Sequence, residues 1–219
     1  MKAGREAITA AIEHAGIVAV IRMKEAARLR SVVDAIAAGG VRVLEVTMTV
    51  PGAVELIAEL APSLPDGFLL GAGTVTDSAT ASRVIDAGAR FVVGPVFRRD
   101  VIATCHGRGV PVMPGCFTPT EILDAWESGA DIVKVFPATA LGPGFFKDVR
   151  GPMPQVKMMP TGGVTIDNAA DWIRAGAVAV GVGTALLDAK AIDSGNYDVL
   201  RSNAERIVAN VRAAKEQHG

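Results

Sequence analysis

The chain of 219 residues is half apolar and carries a formal net charge of −1, from 22 Lys and Arg against 23 Asp and Glu. This composition is typical of a globular protein with a large core, and residues 1–219 are predicted to form one domain. A nearly neutral charge, spread along the chain, argues against a nucleic-acid or anionic-membrane partner. No apolar run approaches the ~20 residues of a membrane span. Two cysteines cannot form a disulfide framework, so a reducing, cytoplasmic setting is expected.

Short runs rich in β-branched residues alternate with amphipathic stretches along the chain. Eight runs are predicted to be strands. One predicted helix precedes the first strand, and a further helix follows each of the eight strands. The predicted strands cover 17–22, 41–47, 68–73, 90–96, 110–115, 131–137, 156–163 and 178–183. The predicted helices between and after them cover 25–38, 51–61, 77–87, 98–108, 118–128, 143–150, 165–175 and 201–215.

Glycine-containing segments separate several of these helices from the next strand, at 37–40, 86–89, 106–109, 127–130 and 174–177. Glycine at such a position predicts a left-handed helix cap and a short loop. Eight βα units of this kind predict an α/β fold, a (β/α)8 TIM barrel with an extra N-terminal helix. The alternative is an open Rossmann-like sheet, which is disfavoured because GAGTVT at 71–76 lacks the GxGxxG spacing.

Lys134 is a charged residue inside an otherwise apolar predicted strand, DIVKVFPA. It shares a face with Ile132 and Phe136, and the barrel interior is the favoured side, because a lysine facing the helices would be buried unpaired. Burial lowers the pKa of an amine and yields the neutral form that an imine-forming nucleophile requires. The alternative is a structural lysine, snorkelling or paired with a core carboxylate. Lys157 also lies in a predicted strand, but at its start, on the face of the barrel whose residues serve stability and not chemistry. Lys134 is therefore the better-placed amine.

Glu45 interrupts the second predicted strand, VRVLEVT, in the same way. An interior carboxylate is costly unless it is paired or neutral, so Glu45 is a natural partner for an interior lysine. Two such groups in the carboxyl-terminal halves of their strands favour general acid/base catalysis together with a nucleophile. A structural ion pair between Glu45 and Lys134 is the alternative.

Arg22, Thr49, Thr74 and Thr161 follow or end predicted strands, at the rim where barrels carry their active sites. A guanidinium with hydroxyl groups nearby is suited to a substrate carboxylate. Each threonine taken alone is more often a helix cap.

Two glycine-rich segments follow the seventh and eighth predicted strands, PTGGV at 160–164 and GVGTAL at 181–186. Gly162, Gly163, Gly181 and Gly183 leave backbone N–H groups free at this place, which is typical of the phosphate site of barrel enzymes. The alternative is that they are turn glycines.

No Cys/His cluster has metal-ligand spacing and no Ser/His/Asp or Cys/His set falls on one face. Neither a metal site nor a cofactor is therefore predicted. Cys116 is expected to be a small residue at the rim.

Six segments, in this order, resemble the 2-keto-3-deoxy-6-phosphogluconate / 2-keto-4-hydroxyglutarate aldolase family, class I aldolases on a (β/α)8 barrel. They are residues 39–51, 71–75, 114–121, 133–138, 160–164 and 181–186. The combination of E-V-T, K-x-F-P and P-T-G-G at these separations is specific to the family. The resemblance implies pyruvate as a product, no cofactor and a homotrimer.

The resemblance also implies roles for individual residues. The Schiff-base lysine falls on Lys134 and the acid/base glutamate on Glu45. The positions that bind the substrate carboxylate fall on Arg22, Thr49 and Thr74. The positions that line the pocket fall on Pro95, Phe117 and Thr161. The positions that bind the phosphate fall on Gly162, Gly163, Gly183 and Thr184. Some members of the family have arginine at the position of Thr49, whereas this chain has Arg22 on the first strand. Two alternatives follow: carboxylate recognition is rearranged, or the chain belongs to a different branch of the family.

The expected activity is therefore cleavage of a phosphorylated 2-keto-3-deoxy sugar acid to pyruvate and glyceraldehyde 3-phosphate, with 2-keto-4-hydroxyglutarate as a further substrate. One alternative is the phosphogalactonate epimer as substrate, which GPGFFKDV at 142–149 does not exclude. The other is a phosphosugar-binding barrel, an epimerase or isomerase, without imine chemistry.

Overall fold

The computed structural model describes residues 4–23 and 25–217. Strands and helices alternate along this part of the chain. The strands are β1 Ile17–Ile21, β2 Val43–Thr47, β3 Leu69–Gly73, β4 Val92–Val93, β5 Val112–Met113, β6 Gly115–Cys116, β7 Val133–Val135, β8 Met158–Pro160 and β9 Val180–Val182. The α-helices are α1 Arg5–Ala15, α2 Leu29–Ala38, α3 Ala53–Leu60, α4 Ser78–Asp86, α5 Arg99–Gly107, α6 Pro119–Glu127, α7 Gly142–Arg150, α8 Ala169–Arg174, α9 Ala189–Ser194 and α10 Tyr197–Glu216.

The strands form a closed ring of parallel neighbours. The order β5, β4, β3, β2, β1, β9 is continuous, and β6, β7 and β8 form the remaining arc. A bridge between Thr161 and Gly181 joins β8 to β9. At the other junction β5 and β6 are two halves of one barrel position, separated by Pro114, which has no N–H to donate. The ring confirms the predicted (β/α)8 barrel, and the open Rossmann-like alternative is wrong.

The barrel has an outer and an inner apolar core. The outer core lies between strands and helices, and it accounts for the apolar half of the sequence. The inner core fills the barrel with side chains from alternate strand positions, namely Val18, Val43, Phe91, Val93, Met113, Ile132, Met159 and Ala179. Ile8 and Ile12 of α1 pack against this inner core, so α1 closes the N-terminal end of the barrel.

Polar contacts attach α1 to the starts of the strands. Lys157 donates to Glu13 at 2.6 Å, which places Lys157 at the N-terminal end of the barrel, as predicted. Asp131 accepts from Thr9 at 3.4 Å and forms an ion pair with Arg5 at 3.4 Å. The predicted extra helix is thus an integral part of the barrel.

The five predicted glycine caps are confirmed, since Gly40, Gly88, Gly109, Gly129 and Gly176 have φ between 67° and 108°. The predicted strands are longer than the observed ones, because their ends leave the sheet to form loops. The short helix α9 was not predicted. Within residues 4–23 and 25–217, none of the helices combines the length and the apolar character needed to cross a membrane.

Candidate active site

Lys134 points into the barrel from β7. Its neighbour Ile132 belongs to the inner core, whereas Val133 and Val135 belong to the outer core, as the alternation predicts. The Lys134 side chain is buried, with 5% of the residue exposed, and Nζ lies 5.1 Å from the centroid of the Phe136 ring. It forms no ion pair with any described residue. A desolvated amine without a neutralising partner is free to react with a carbonyl carbon.

Glu45 lies on β2 with no exposed surface. The parallel register pairs it with Val20 of β1 on one side and with Gly71 of β3 on the other. Neither carboxylate oxygen has a hydrogen-bond partner among the described residues. Among the described residues, Glu45 and Lys134 do not form an ion pair with each other, so the alternative of a direct structural ion pair is not seen.

Burial raises the pKa of Glu45 above its ordinary value of 4.5. The positive charges of Lys134 and Arg22 act in the opposite direction and are the smaller effects. Because both cations influence this carboxyl group, the three side chains share one electrostatic environment. A carboxyl group with a raised pKa exchanges protons more readily near neutral pH, as a general acid/base must.

A cavity of about 600 Å³ opens at the carboxyl ends of β8, β9 and β1. It brings together six of the predicted site residues, namely Arg22, Thr161, Gly162, Gly163, Gly183 and Thr184. Its inner end is lined by Phe136, two residues after Lys134 in the chain, and by Val20, which pairs with Glu45 across β1 and β2. The cavity therefore joins the glycine-rich loops to the part of the barrel that holds the two buried charges.

The other four predicted residues follow β2, β3, β4 and β6 and do not line this cavity. Thr49 is exposed and its hydroxyl lies 2.7 Å from that of Thr47. Thr74 is half-buried in a left-handed conformation with φ of 61°, which is rare for a threonine. Pro95 is half-buried and Phe117 is 38% exposed.

Thr161 is buried at the inner end of the cavity, and its Oγ1 has no hydrogen-bond partner among the described residues. Its backbone is fixed on both sides, since its N–H donates to Val135 and its carbonyl accepts from Ala138, at 3.0 and 2.9 Å. The hydroxyl is thus a rigidly placed group that is free to bind a ligand.

Neither cysteine has the properties of a nucleophile. Burial raises the pKa of both thiols to about 12. Cys116 donates to the Glu121 carbonyl at 3.3 Å and is 3% exposed, so it packs against α6 rather than lining the rim cavity. Among the described residues, no group of three His, Cys, Asp or Glu side chains could hold a metal ion.

Several residues of the site were not predicted from the sequence. Thr47 is buried and donates to the Ile21 carbonyl at 3.1 Å, which connects Thr49 to β1. The period of two through Val43 and Glu45 would have identified Thr47 as an inward residue. The outer wall of the cavity includes Glu25, Arg28, Ile192 and Asp193. The first two lie at the start of the predicted helix 25–38, where the chain instead forms a 3-10 turn at Ala26–Arg28 before α2, and the other two lie on the short α9, which was not predicted.

A (β/α)8 barrel with a buried lysine, a buried carboxylate and glycine-rich loops at the same rim defines a class of carbon–carbon lyases. The family model for KDPG and KHG aldolase matches residues 8–202. The chain therefore belongs to the family of 2-keto-3-deoxy-6-phosphogluconate (KDPG) and 2-keto-4-hydroxyglutarate (KHG) aldolases. It is an enzyme of the aldehyde-lyase class, and the epimerase or isomerase alternative is wrong.

Relatives and solved structures agree with this assignment. The 2-dehydro-3-deoxy-phosphogluconate aldolase of Treponema pallidum is 35% identical over 188 residues, 85% of this chain and 89% of the relative. A probable 2-dehydro-3-deoxy-6-phosphogalactonate aldolase of Rhizobium meliloti is 34% identical over 171 residues, 78% of this chain and 81% of the relative. The KDPG aldolase of Legionella pneumophila, solved with pyruvate as a covalent carbinolamine, superposes with a TM-score of 0.84 at 31% identity, covering 94% and 99% of the two chains.

Proposed function

We propose that this enzyme cleaves 2-keto-3-deoxy-6-phosphogluconate to pyruvate and glyceraldehyde 3-phosphate through an imine on Lys134. We further propose 2-keto-4-hydroxyglutarate as a second substrate, cleaved to pyruvate and glyoxylate. The observation that carries the proposal is the buried, unpaired Lys134 amine, next to a cavity whose glycine-rich loops suit a phosphate.

The reaction begins when the Lys134 amine attacks the C2 ketone of the substrate. The carbinolamine that forms loses water, with Glu45 moving the protons, and a positively charged imine remains. The surroundings of Glu45 support this role, since burial raises its pKa and no described residue donates a hydrogen bond to its carboxylate oxygens.

Glu45 then removes the proton of the C4 hydroxyl group. The C3–C4 bond breaks, its electron pair flows into the imine, and the aldehyde is released. Glu45 returns the proton to C3 of the resulting enamine, and water hydrolyses the imine to release pyruvate and Lys134. Protons and electrons balance without any added oxidant, reductant or metal.

We assign the two ends of the substrate to the two parts of the rim. Arg22, Thr49 and Thr74 hold the pyruvate carboxylate, and Pro95, Phe117 and Thr161 complete the pocket. The amides of Gly162, Gly163 and Gly183, together with Thr184, hold the phosphate. Support comes from the shared cavity of Arg22, Thr161 and the glycines, and from the influence of Arg22 on Glu45.

The alternative to the phosphogluconate-derived substrate is 2-keto-3-deoxy-6-phosphogalactonate. It differs from the first in configuration at C4, so the same imine and the same proton transfers apply. The similarity to the Rhizobium meliloti protein, named a probable phosphogalactonate aldolase, favours testing it. A coupled assay of pyruvate release with each of the three substrates ranks them by kcat/KM.

Borohydride trapping tests the imine directly. The enzyme is incubated with pyruvate and sodium borohydride, and the adduct is mapped by mass spectrometry. We expect a reduced pyruvate adduct on Lys134 in the wild type and none in Lys134→Arg, with Lys157→Arg as the matched control that keeps the adduct. A folded wild-type enzyme without an adduct on Lys134 would overturn the mechanism.

For the assembly and its location we propose a cytoplasmic homotrimer. The resemblance to the family suggests the trimer. Val96 is a large apolar residue on the loop that follows β4, 51% exposed, and a subunit contact would cover it. Light scattering should then give three times the mass of the chain.

A further inference from the structure

The inward face of β3 carries two glycines, Gly71 and Gly73, and neighbouring strands fill the space that they leave. A Cβ on Gly71 would lie 2.5 Å from ring atoms of Phe91. A Cβ on Gly73 would lie 2.6 Å from Cδ and 2.8 Å from Cγ of Glu45, with Oε1 nearer still. Phe91 thus occupies the place of one missing side chain, and Glu45 occupies the other.

The register shows which way the Glu45 side chain extends. The partner of Glu45 across the sheet is Gly71, and Gly73 pairs with Thr47, two residues nearer the carboxyl ends of the strands. Since the Glu45 side chain lies against Gly73, it leans from its own level toward the mouth of the barrel. The carboxyl group thereby faces the end of the barrel where the cavity lies.

Thr161 repeats this arrangement on the other side of the barrel. A Cβ on Gly181 of β9 would overlap Oγ1 of Thr161 and would lie 3.3 Å from its Cβ. Glu45 and Thr161 both have buried side-chain oxygens without a hydrogen-bond partner among the described residues. Each of these two polar side chains therefore lies against a glycine of the neighbouring strand.

We propose that Gly73 is a positioning residue: because it has no side chain, it leaves the space in which the Glu45 carboxyl group takes the orientation needed for proton transfer. This inference rests on the proposed role of Glu45. Gly73 does not have a positive φ, so its backbone accepts alanine, and the atoms that would meet the new Cβ belong to the end of a flexible side chain. Gly73→Ala is thus expected to fold and to displace the carboxyl group rather than the strand.

A double-mutant cycle in turnover tests the proposal. We expect Gly73→Ala to lower kcat about a hundredfold, the size of effect that a displacement of about 1 Å produces. Glu45→Asp withdraws the carboxyl group by one methylene, from the position of Cδ to that of Cγ, and so reduces the clash. In the Glu45→Asp background Gly73→Ala should therefore cost at least about tenfold less than in the wild type. The proposal would be overturned if Gly73→Ala kept the turnover of the wild type. It would also be overturned if Gly73→Ala lowered kcat by the same factor in the wild-type and Glu45→Asp backgrounds.

A second cycle measures thermal stability and does not depend on activity. Gly73→Ala should lower Tm in the wild type and leave it nearly unchanged in the Glu45→Ala background, where the clashing atoms are gone. Gly71→Ala is the matched control, and it should lower Tm in both backgrounds, because it meets Phe91 instead. Equal losses from Gly73→Ala in both backgrounds, including failure to fold in both, would overturn the inference. If trapping on Lys134 failed while this coupling persisted, the proposed function alone would be wrong.

Discussion

Glu45 is a fully buried carboxyl group, and its ionisation influences the stability of the whole protein. Burial raises its pKa in the folded state above 4.5, the ordinary value, which an unfolded chain restores. Between those two pKa values the folded protein binds the proton that the unfolded chain has released. The contribution of Glu45 to the free energy of unfolding therefore falls as pH rises through this window, and it stays low above it.

Glu45→Gln should separate activity from stability. Without a titratable group, turnover should fall at least about a hundredfold, the low end of acid/base contributions. The variant should melt at a higher temperature than the wild type at pH 8, and the two should converge as pH falls toward 4.5. Melting curves from pH 4 to pH 8 check the stability, and coupled assays check turnover. A difference in Tm that does not change with pH would contradict the raised pKa.

Arg22 is exposed and lines the cavity together with the glycine-rich loops. If it binds the substrate carboxylate, Arg22→Ala should weaken every 2-keto acid, pyruvate included, by about ten- to a hundredfold, the worth of a hydrogen bond to a charged group. The measurements are KM for the substrates with and without phosphate, and the pyruvate concentration that half-saturates trapping. Arg212→Ala, on an exposed face of α10, is the control. A loss confined to phosphorylated substrates would assign Arg22 to the phosphate instead.

The sequence predicted the buried charges of the site better than it predicted the rim. Lys134 and Glu45 stand out because an apolar strand tolerates few charges. Alternation placed Lys134 on one face of its strand, and the cost of burying an unpaired lysine against the helices predicted that this face is the inward one. The cavity wall formed by Glu25, Arg28 and Asp193 comes from the 3-10 turn before α2 and from the short α9, which have no recognisable local pattern. Arg22 lines the cavity whereas Thr49 and Thr74 do not, and this depends on how the loops follow the closed sheet, which a single strand does not reveal.

At the level of elements, α1 contributes more than a cover for the barrel. Ile12 is 1% exposed and packs against the inner core. Ile12→Ala should lower the free energy of unfolding by about 2 to 5 kcal/mol, the usual result of truncating a buried isoleucine. Urea denaturation measures it. Ala10→Ser on the exposed side of α1 should change stability by less than about 0.5 kcal/mol, and an equally small loss from Ile12→Ala would show that α1 is dispensable.

All eight predicted strand positions are occupied, because the strands are apolar on both faces and most of them follow a helix that ends at a glycine with a positive φ. Their lengths were predicted less well. Pro114 divides the fifth position into β5 and β6, and only pairing with the strands on either side shows that both halves belong to the barrel. The helix α9 is six residues long, too short for a period of 3.6 to be recognised in the sequence.

For the whole molecule, the proposed trimer gives the exposed Val96 a definite role. Val96→Asp should shift the protein from trimer to monomer, because a buried unpaired carboxylate opposes association. Val199 is 36% exposed on α10, away from the loops after β4 and β6, so Val199→Asp is the matched control and should remain trimeric. Sedimentation velocity distinguishes the two species. A trimer that tolerates Val96→Asp would place the subunit contact elsewhere.

The closure of the barrel by α1 also has a kinetic consequence. Ile8, Ile12 and Phe91 fill the N-terminal end of the barrel. In the proposed mechanism, ligands therefore reach Lys134 from the cavity at the opposite rim. A substrate that enters from this side puts its keto group in first and leaves its phosphate nearest to solvent. The aldehyde then departs before pyruvate, and pyruvate alone can return to an empty site. Product inhibition by pyruvate should accordingly be competitive, and inhibition by the aldehyde noncompetitive.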